Sequence, residues 1–253
     1  MKAIPKRKWF AWFFLVAGVV AIITSAARLI PMFQENSKAA QGHSALREII
    51  ARTNRTPPPF NPVSLAPAVS AMDFEQLTTI NKDCIAWLTV ADTVIDYPVV
   101  QGEDNEFYLT TGFDGAPLRA GALFVDYKAN PLFEGLNHPI YGHSMRDESM
   151  FRALESYLDA DFAKAHTDMI LYTPQGDWRL VPFSVYIAPS AGDYHTEPTD
   201  EKDAHARALE WHAKSKVNFE VVPQADDRFV TLITCTSDTG NNLRVVLHAI
   251  LYR

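Results

Sequence analysis

The chain has 253 residues, 47% hydrophobic and 21% charged, with a formal net charge of −7. That composition supports a sizeable packed core and excludes wholesale disorder. Its 11 glycines and 16 prolines are too few for a fibrous or low-complexity protein, and the acidic balance argues against nucleic acid as the main partner.

The charge is uneven. Residues 1–33 hold Lys2, Lys6, Arg7, Lys8 and Arg28 and no acid. From Glu35 onward all 30 acids stand against 18 of the 23 Lys and Arg, a balance of −12. Between Lys8 and Arg28 lie 19 uncharged residues, Trp9 to Ala27. A helix of about 20 apolar residues spans a bilayer core. Basic residues before the run and an acid-rich chain after it follow the positive-inside pattern, and Trp9 and Trp12 suit an interfacial belt. Residues 1–33 are therefore read as a cytoplasmic basic tail and a single-pass anchor, with the body outside. The run ends in the small residues Thr24-Ser25-Ala26-Ala27, which also suit a signal-peptide cleavage site; that reading exports the body equally.

Residues 34–71 read as a stalk. Ala45, Leu46, Ile49 and Ile50 fall at helical spacing, and Pro57-Pro58-Pro59-Phe60-Asn61-Pro62 is a stiff spacer that cannot be helix. The folded domain is placed at 72–253. Asp73 caps a short helix running to Ile80. Strands are expected at Ile85–Val90, Val94–Val100, Gly121–Asp126, Pro139–Gly142, Met169–Thr173, Trp178–Ala188, Arg228–Cys235 and Leu243–Tyr252. Helical segments are expected at Asn105–Leu109, Met150–Leu158, Asp159–His166 and Glu201–Lys216. The fold class is mostly β, about eight strands in a barrel or sandwich decorated by peripheral helices.

Two cysteines are present, Cys84 and Cys235. An exported chain with two cysteines can bridge them, or keep one as a reactive thiol. Cys235 ends a β-branched run, Phe229 to Thr234, and precedes the polar stretch Thr236 to Asn242, so it sits where a strand opens into a loop. No helix follows it, so a helix N-terminus cannot stabilise a thiolate there; a His or Arg must. Arg244 opens the returning strand, within reach across the hairpin. His143, in Tyr141-Gly142-His143, also falls at a strand end. Cys84 opens a strand where a small buried residue is expected, and we read it as inert. His205 and His212 lie seven apart on one helix without further ligands at metal spacing, so no metal site is assigned. His248 is read as packing.

Taken in order, Tyr141-Gly142-His143, Thr231-Leu232-Ile233-Thr234-Cys235 and Arg244 resemble the sortases, cysteine transpeptidases of Gram-positive surfaces. The run from Trp87 through Ile95-Asp96-Tyr97-Pro98-Val99-Val100-Gln101-Gly102 and Asp104 to Leu109, then Gly121 to Asp126, is similar to their class B. The resemblance covers about residues 70–253. It implies a closed β-barrel with an N-terminal helix and a helix between late strands. It also implies Cys235 as nucleophile, His143 as acid and base, Arg244 as the oxyanion and substrate anchor, and no cofactor. Asn105, Thr234, Tyr194 and Thr196 are the implied contacts to the sorting peptide, and Asp238 is not taken to orient His143. Ile233 stands where some class B members carry a polar residue, which bears on one substrate contact rather than on the chemistry. The implied partners are exported proteins with a C-terminal sorting motif of the Asn-Pro-x-Thr-x kind, or one starting Ser-Pro or Pro-Pro, cleaved after Thr, and an amine of peptidoglycan or its lipid-linked precursor. Two other readings remain from residues alone: a thiol peptidase with water as acceptor, and a tethered binding module with a dead site.

Overall fold

The computed structural model describes residues 12, 15–25, 27, 72–235 and 242–252, apart from the side chain of Cys235. The chain divides into two compact units, residues 1–42 and 43–253, each considered by itself. In the first, residues 15–25 are helical with exposed side chains. Among the described residues no helix is long and apolar enough to cross a membrane. The stalk expected at 34–71 lies outside the described residues.

The second unit is a closed barrel of eight strands in the order β1-β2-β3-β4-β7-β8-β6-β5. The strands are β1 (Cys84–Val90), β2 (Asp96–Val100), β3 (Leu123–Val125), β4 (Asn137–Tyr141), β5 (Met169–Tyr172), β6 (Trp178–Pro189), β7 (Phe229–Cys235) and β8 (Leu243–Tyr252). Each coincides with a run expected to be a strand, and closure leaves no unpaired edge. Two neighbouring pairs run parallel, β2 with β3 and β4 with β7; the other six are antiparallel. The interior is apolar, with Leu88, Val99, Val125, Ile140, Leu171, Leu180, Val230, Leu232 and Leu247 fully or almost fully buried.

Helices cover the barrel. Helix α1 (Phe74–Ile80) begins at Asp73, whose carboxylate accepts from the Gln76 amide at 3.0 Å, a cap worth about 1 kcal/mol. Helix α2 spans Ala160–Ala165, and α3 spans Glu201–Lys214, with Ala204, Ala208 and Trp211 buried against β6 and its neighbours. Several elements differ from expectation, two of the helical ones for local reasons, and the turn expected at Asn105–Leu109 is a 3-10 turn over Phe107–Leu109. Helix α3 stops at Lys214 because Ser215 turns its hydroxyl to β6, accepting from the Val185 amide at 3.0 Å and donating to the Val217 carbonyl at 2.7 Å. The segment Phe151–Leu158 is a 3-10 helix: its buried residues Phe151, Leu154 and Tyr157 recur every third position, the 3-10 period.

Candidate active site

Strand direction decides what meets at the barrel's mouth. Because β4 and β7 are parallel, their C-terminal ends lie side by side, with Tyr141 opposite Ile233. Because β8 runs antiparallel to β7, its first residues return to the same end, and Arg244 is the register partner of Cys235. His143 follows two residues after β4, anchored by the Gly142 amide on the Ile233 carbonyl at 3.1 Å. The three residues singled out from sequence thus fall at the same end of three adjacent strands, although His143 and Cys235 are 92 positions apart in the chain. The backbone of Cys235 is the last residue of β7. Its side chain, and Asp238, lie outside the described residues.

These strand ends floor a cleft of about 440 Å³. Its floor holds Ile233, Thr234 and Arg244; one wall holds Asn105, Leu109 and Asp126, and the other Ser190, Tyr194 and His195. His143 donates from Nε2 to the Leu109 carbonyl at 2.8 Å. A carbonyl can only accept, so Nε2 carries hydrogen, and in the neutral ring Nδ1 is the basic nitrogen. The glycine before His143 is required by space. A Cβ on Gly142 would fall 2.4 Å from Leu123 Cδ2 and 2.7 Å from Phe151 Cδ2. The residues after His143 are closed by a bridge between Ser144 and Met150, and the Phe151 amide donates to the His143 carbonyl at 2.9 Å.

Arg244 is half-buried, and one of its terminal nitrogens donates to the Leu243 carbonyl at 3.0 Å. A guanidinium has five N–H donors, so donors remain for a ligand in the cleft. Thr234 is 1% exposed, and its hydroxyl has no hydrogen-bond partner among the described residues. A buried hydroxyl without a partner is costly, and a ligand that hydrogen-bonded it would remove that cost.

The remaining residues expected to touch substrate divide. Asn105 lines the cleft, but its amide is engaged: Nδ2 donates to Asp126 at 2.9 Å and Oδ1 accepts from the Tyr127 amide at 3.0 Å. It acts here as a clamp between two loops. Tyr194 is buried in the far wall, with its hydroxyl donating to the Pro189 carbonyl at 3.1 Å. Thr196 does not line the cleft. Its hydroxyl donates to the Asp193 carbonyl and accepts from Arg207 at 3.1 Å, because the turn before α3 carries it away from the mouth.

Sequence reasoning missed Asp126 and the Leu109 carbonyl. Asp126 accepts from Asn105 and, at 3.3 Å, from the Tyr141 hydroxyl. Burial and the nearby Asp126 charge push the Tyr141 phenol well up, so it stays a donor. A carboxylate just beyond an apolar strand, Leu123-Phe124-Val125, was the available signal for Asp126. No residue-type signal exists for a backbone carbonyl.

Cys84 is not in a disulfide. It is a free thiol, 3% exposed, and burial pushes its pKa up to about 12. A thiol held neutral in this way is a poor nucleophile. Among the described residues no cluster of three or more His, Cys, Asp or Glu could hold a metal ion.

The sortase domain family matches residues 88–252. Sortase B of Listeria monocytogenes is 35% identical over 167 residues, covering 66% of this chain and 68% of the relative. The Staphylococcus aureus sortase B–substrate complex superposes with a TM-score of 0.67 at 31% identity, covering 71% of this chain and 84% of that one. A sortase B complexed with triglycine gives 0.66 at 32% identity, covering 71% and 85%. A closed eight-stranded barrel, a cleft at the ends of β4, β7 and β8, and these likenesses agree: the chain belongs to the sortase family and is a cysteine transpeptidase of the sortase B kind.

Proposed function

We propose that Cys235 is the nucleophile of this transpeptidase, His143 its general acid and base, and Arg244 its oxyanion anchor. The observation that carries the assignment is the meeting of three strand ends at one cleft, with Arg244 opposite Cys235 in register and His143 in the cleft lining just past the end of β4. His143 Nδ1 takes the proton of the Cys235 thiol, and the sulfur attacks the carbonyl carbon of a threonine in the sorting motif of an exported protein. Negative charge gathers on that oxygen, where the guanidinium of Arg244 supplies fixed donors. The intermediate collapses to a thioester as the C–N bond breaks and the leaving amine takes a proton from His143. With Nε2–H held by Leu109, Nδ1 is the atom that gives this proton and later takes one from the incoming amine. That amine attacks the thioester, an amide forms, and the sulfur is released.

The substrate reading is a short motif of the Asn-Pro-x-Thr-x kind. Its support is the likeness to a relative crystallised with substrate. The acceptor reading is a peptidoglycan amine, supported by the likeness to a sortase B complexed with triglycine. The unpartnered Thr234 hydroxyl and the aromatic wall at Tyr194 offer the bound peptide a hydrogen bond and a packing surface. Residues 1–33 are assigned as a cytoplasmic tail and membrane anchor, 34–71 as a stalk, and 72–253 as the catalytic domain outside the membrane. The uncharged run 9–27 and the change of charge after it support this layout.

The test is intact-mass spectrometry of the full chain with a labelled Asn-Pro-x-Thr peptide series, with and without triglycine. A thioacyl adduct on Cys235, followed by a peptide–glycine product, is expected. Release of free acid alone at saturating triglycine would make the chain a thiol peptidase, and an adduct elsewhere would overturn the nucleophile.

A further inference from the structure

Behind the cleft a buried polar chain crosses four adjacent strands. The Tyr186 hydroxyl of β6 lies 3.0 Å from His248 Nε2 in β8. His248 Nδ1 lies 2.9 Å from the Thr231 hydroxyl of β7. That hydroxyl donates to Asn137 Oδ1 in β4 at 2.7 Å, and Asn137 Nδ2 donates to the Tyr194 carbonyl at 3.1 Å. Asn137, Thr231 and His248 are wholly buried, and Tyr186 is 5% exposed. The indole of Trp211 covers the His248 ring, centroids 4.0 Å apart and planes 3° off parallel.

The donors have one consistent direction. Tyr194 offers a carbonyl, so the Asn137 amide must present N–H to it and Oδ1 to Thr231. Thr231 gives its only proton to that oxygen, so it must accept from His248, and Nδ1 carries hydrogen. Nε2 is then an acceptor, filled by the Tyr186 hydroxyl. Burial holds the imidazole neutral and the phenol protonated, as this direction requires.

We propose that Asn137, Thr231 and His248 are positioning residues, a directional hydrogen-bond chain that fixes the Tyr194 wall of the cleft relative to the strands carrying Cys235, Arg244 and His143. This rests on the cleft being the peptide site. Tyr194 belongs to the short helical turn Asp193–His195, outside the barrel ladder. The Asn137 bond ties that turn directly to β4, on the barrel face that Trp211 covers. Fixing the wall sets how well the sorting peptide is held and leaves the bond-making atoms untouched, so the chain governs KM more than kcat.

Two measurements test it. Imidazole ¹⁵N spectra of the full chain should show His248 as the neutral Nδ1–H tautomer between pH 6 and 8; the Nε2–H tautomer, or a ring titrating in that range, overturns the chain. This readout stands whether or not any peptide is turned over, so it fails separately from the proposed function. In the second, Thr231→Val replaces the hydroxyl by a methyl, with Thr231→Ser as the restoring variant. With an Asn-Pro-x-Thr peptide, Thr231→Val should raise KM about tenfold with kcat within twofold, and Thr231→Ser should return KM to within about twofold. Tyr186→Phe, which removes only the far donor, should raise KM about threefold and is expected to fold in any case. Unchanged KM in Tyr186→Phe and in a folded Thr231→Val, or an equal loss in Val and Ser variants, overturns the proposal.

Discussion

His143 and His248 are the same side chain in two regions of one barrel. His143 sits past the end of β4 at the rim of the cleft, half-buried, with Nε2 on a backbone carbonyl. His248 sits inside β8, with both nitrogens engaged and a tryptophan against its face. An imidazole can shuttle a proton only if one nitrogen can lose its partner cheaply. At the rim solvent or substrate can replace a partner; inside, any change of protonation breaks a buried bond and strands the group it served. Position relative to the mouth, more than residue type, separates proton transfer from architecture.

The comparison breaks most sharply through His143. His143→Ala should lower kcat/KM at least about 10³-fold with little loss of stability, measured by peptide turnover and thermal melting. A stable variant that keeps its activity would remove the rim histidine from the chemistry.

Acid sharpens the buried side. Burial lowers the pKa of His138 from its ordinary 6.5 to about 4, and also lowers that of His248. The unfolded chain therefore binds protons that the folded chain refuses. Stability is full above pH 6.5 and falls as pH drops toward 4, by about 3 kcal/mol for His138 alone. Urea melts from pH 7 to pH 4 should show this, and His138→Gln should flatten it. A slope unchanged in that variant would remove His138 as its source.

Arg244→Lys keeps the charge but loses the planar fork. It should cost about 10²-fold in kcat/KM, with Arg244→Ala worse. Near-equal activity of the lysine variant would mean that charge alone suffices at this position.

The smallest effect belongs to Cys84. Cys84→Ala should leave turnover intact and cost about 1 kcal/mol of stability, since only a buried sulfur is lost. In the unsubstituted chain a thiol reagent should modify Cys235 and reach Cys84 only on unfolding. A loss of turnover in Cys84→Ala matching that of Cys235→Ala would contradict the inert assignment.

Legibility follows range. The strands are readable because β-branched runs and turn residues are local, and the expected bounds of β8 match the observed ones to the residue. Strand β3 is shorter than its sequence suggests: Gly121 adopts φ +60 and packs under the Tyr108 carbonyl, so the ladder begins only at Leu123. The neighbourhood of Cys235 and Arg244 is legible from their spacing across a hairpin. That of His143 is not, except through resemblance, because the parallel pairing of β4 with β7 joins distant stretches. Asn105 and Thr196 illustrate the rest, since their amide and hydroxyl are engaged by partners that no spacing rule supplies.

What this chain's sequence determined by itself was its inventory: eight strand-forming runs, a capped α1, a thiol closing β7 and an arginine opening β8. Those follow from backbone preferences and nearest neighbours along the chain. Only the tertiary structure decided which nitrogen of each histidine carries hydrogen, which hydroxyl lacks a partner, and which wall Asn137 holds. Those depend on groups brought together by barrel closure, and a hydrogen bond requires contact in space that order along the chain does not specify.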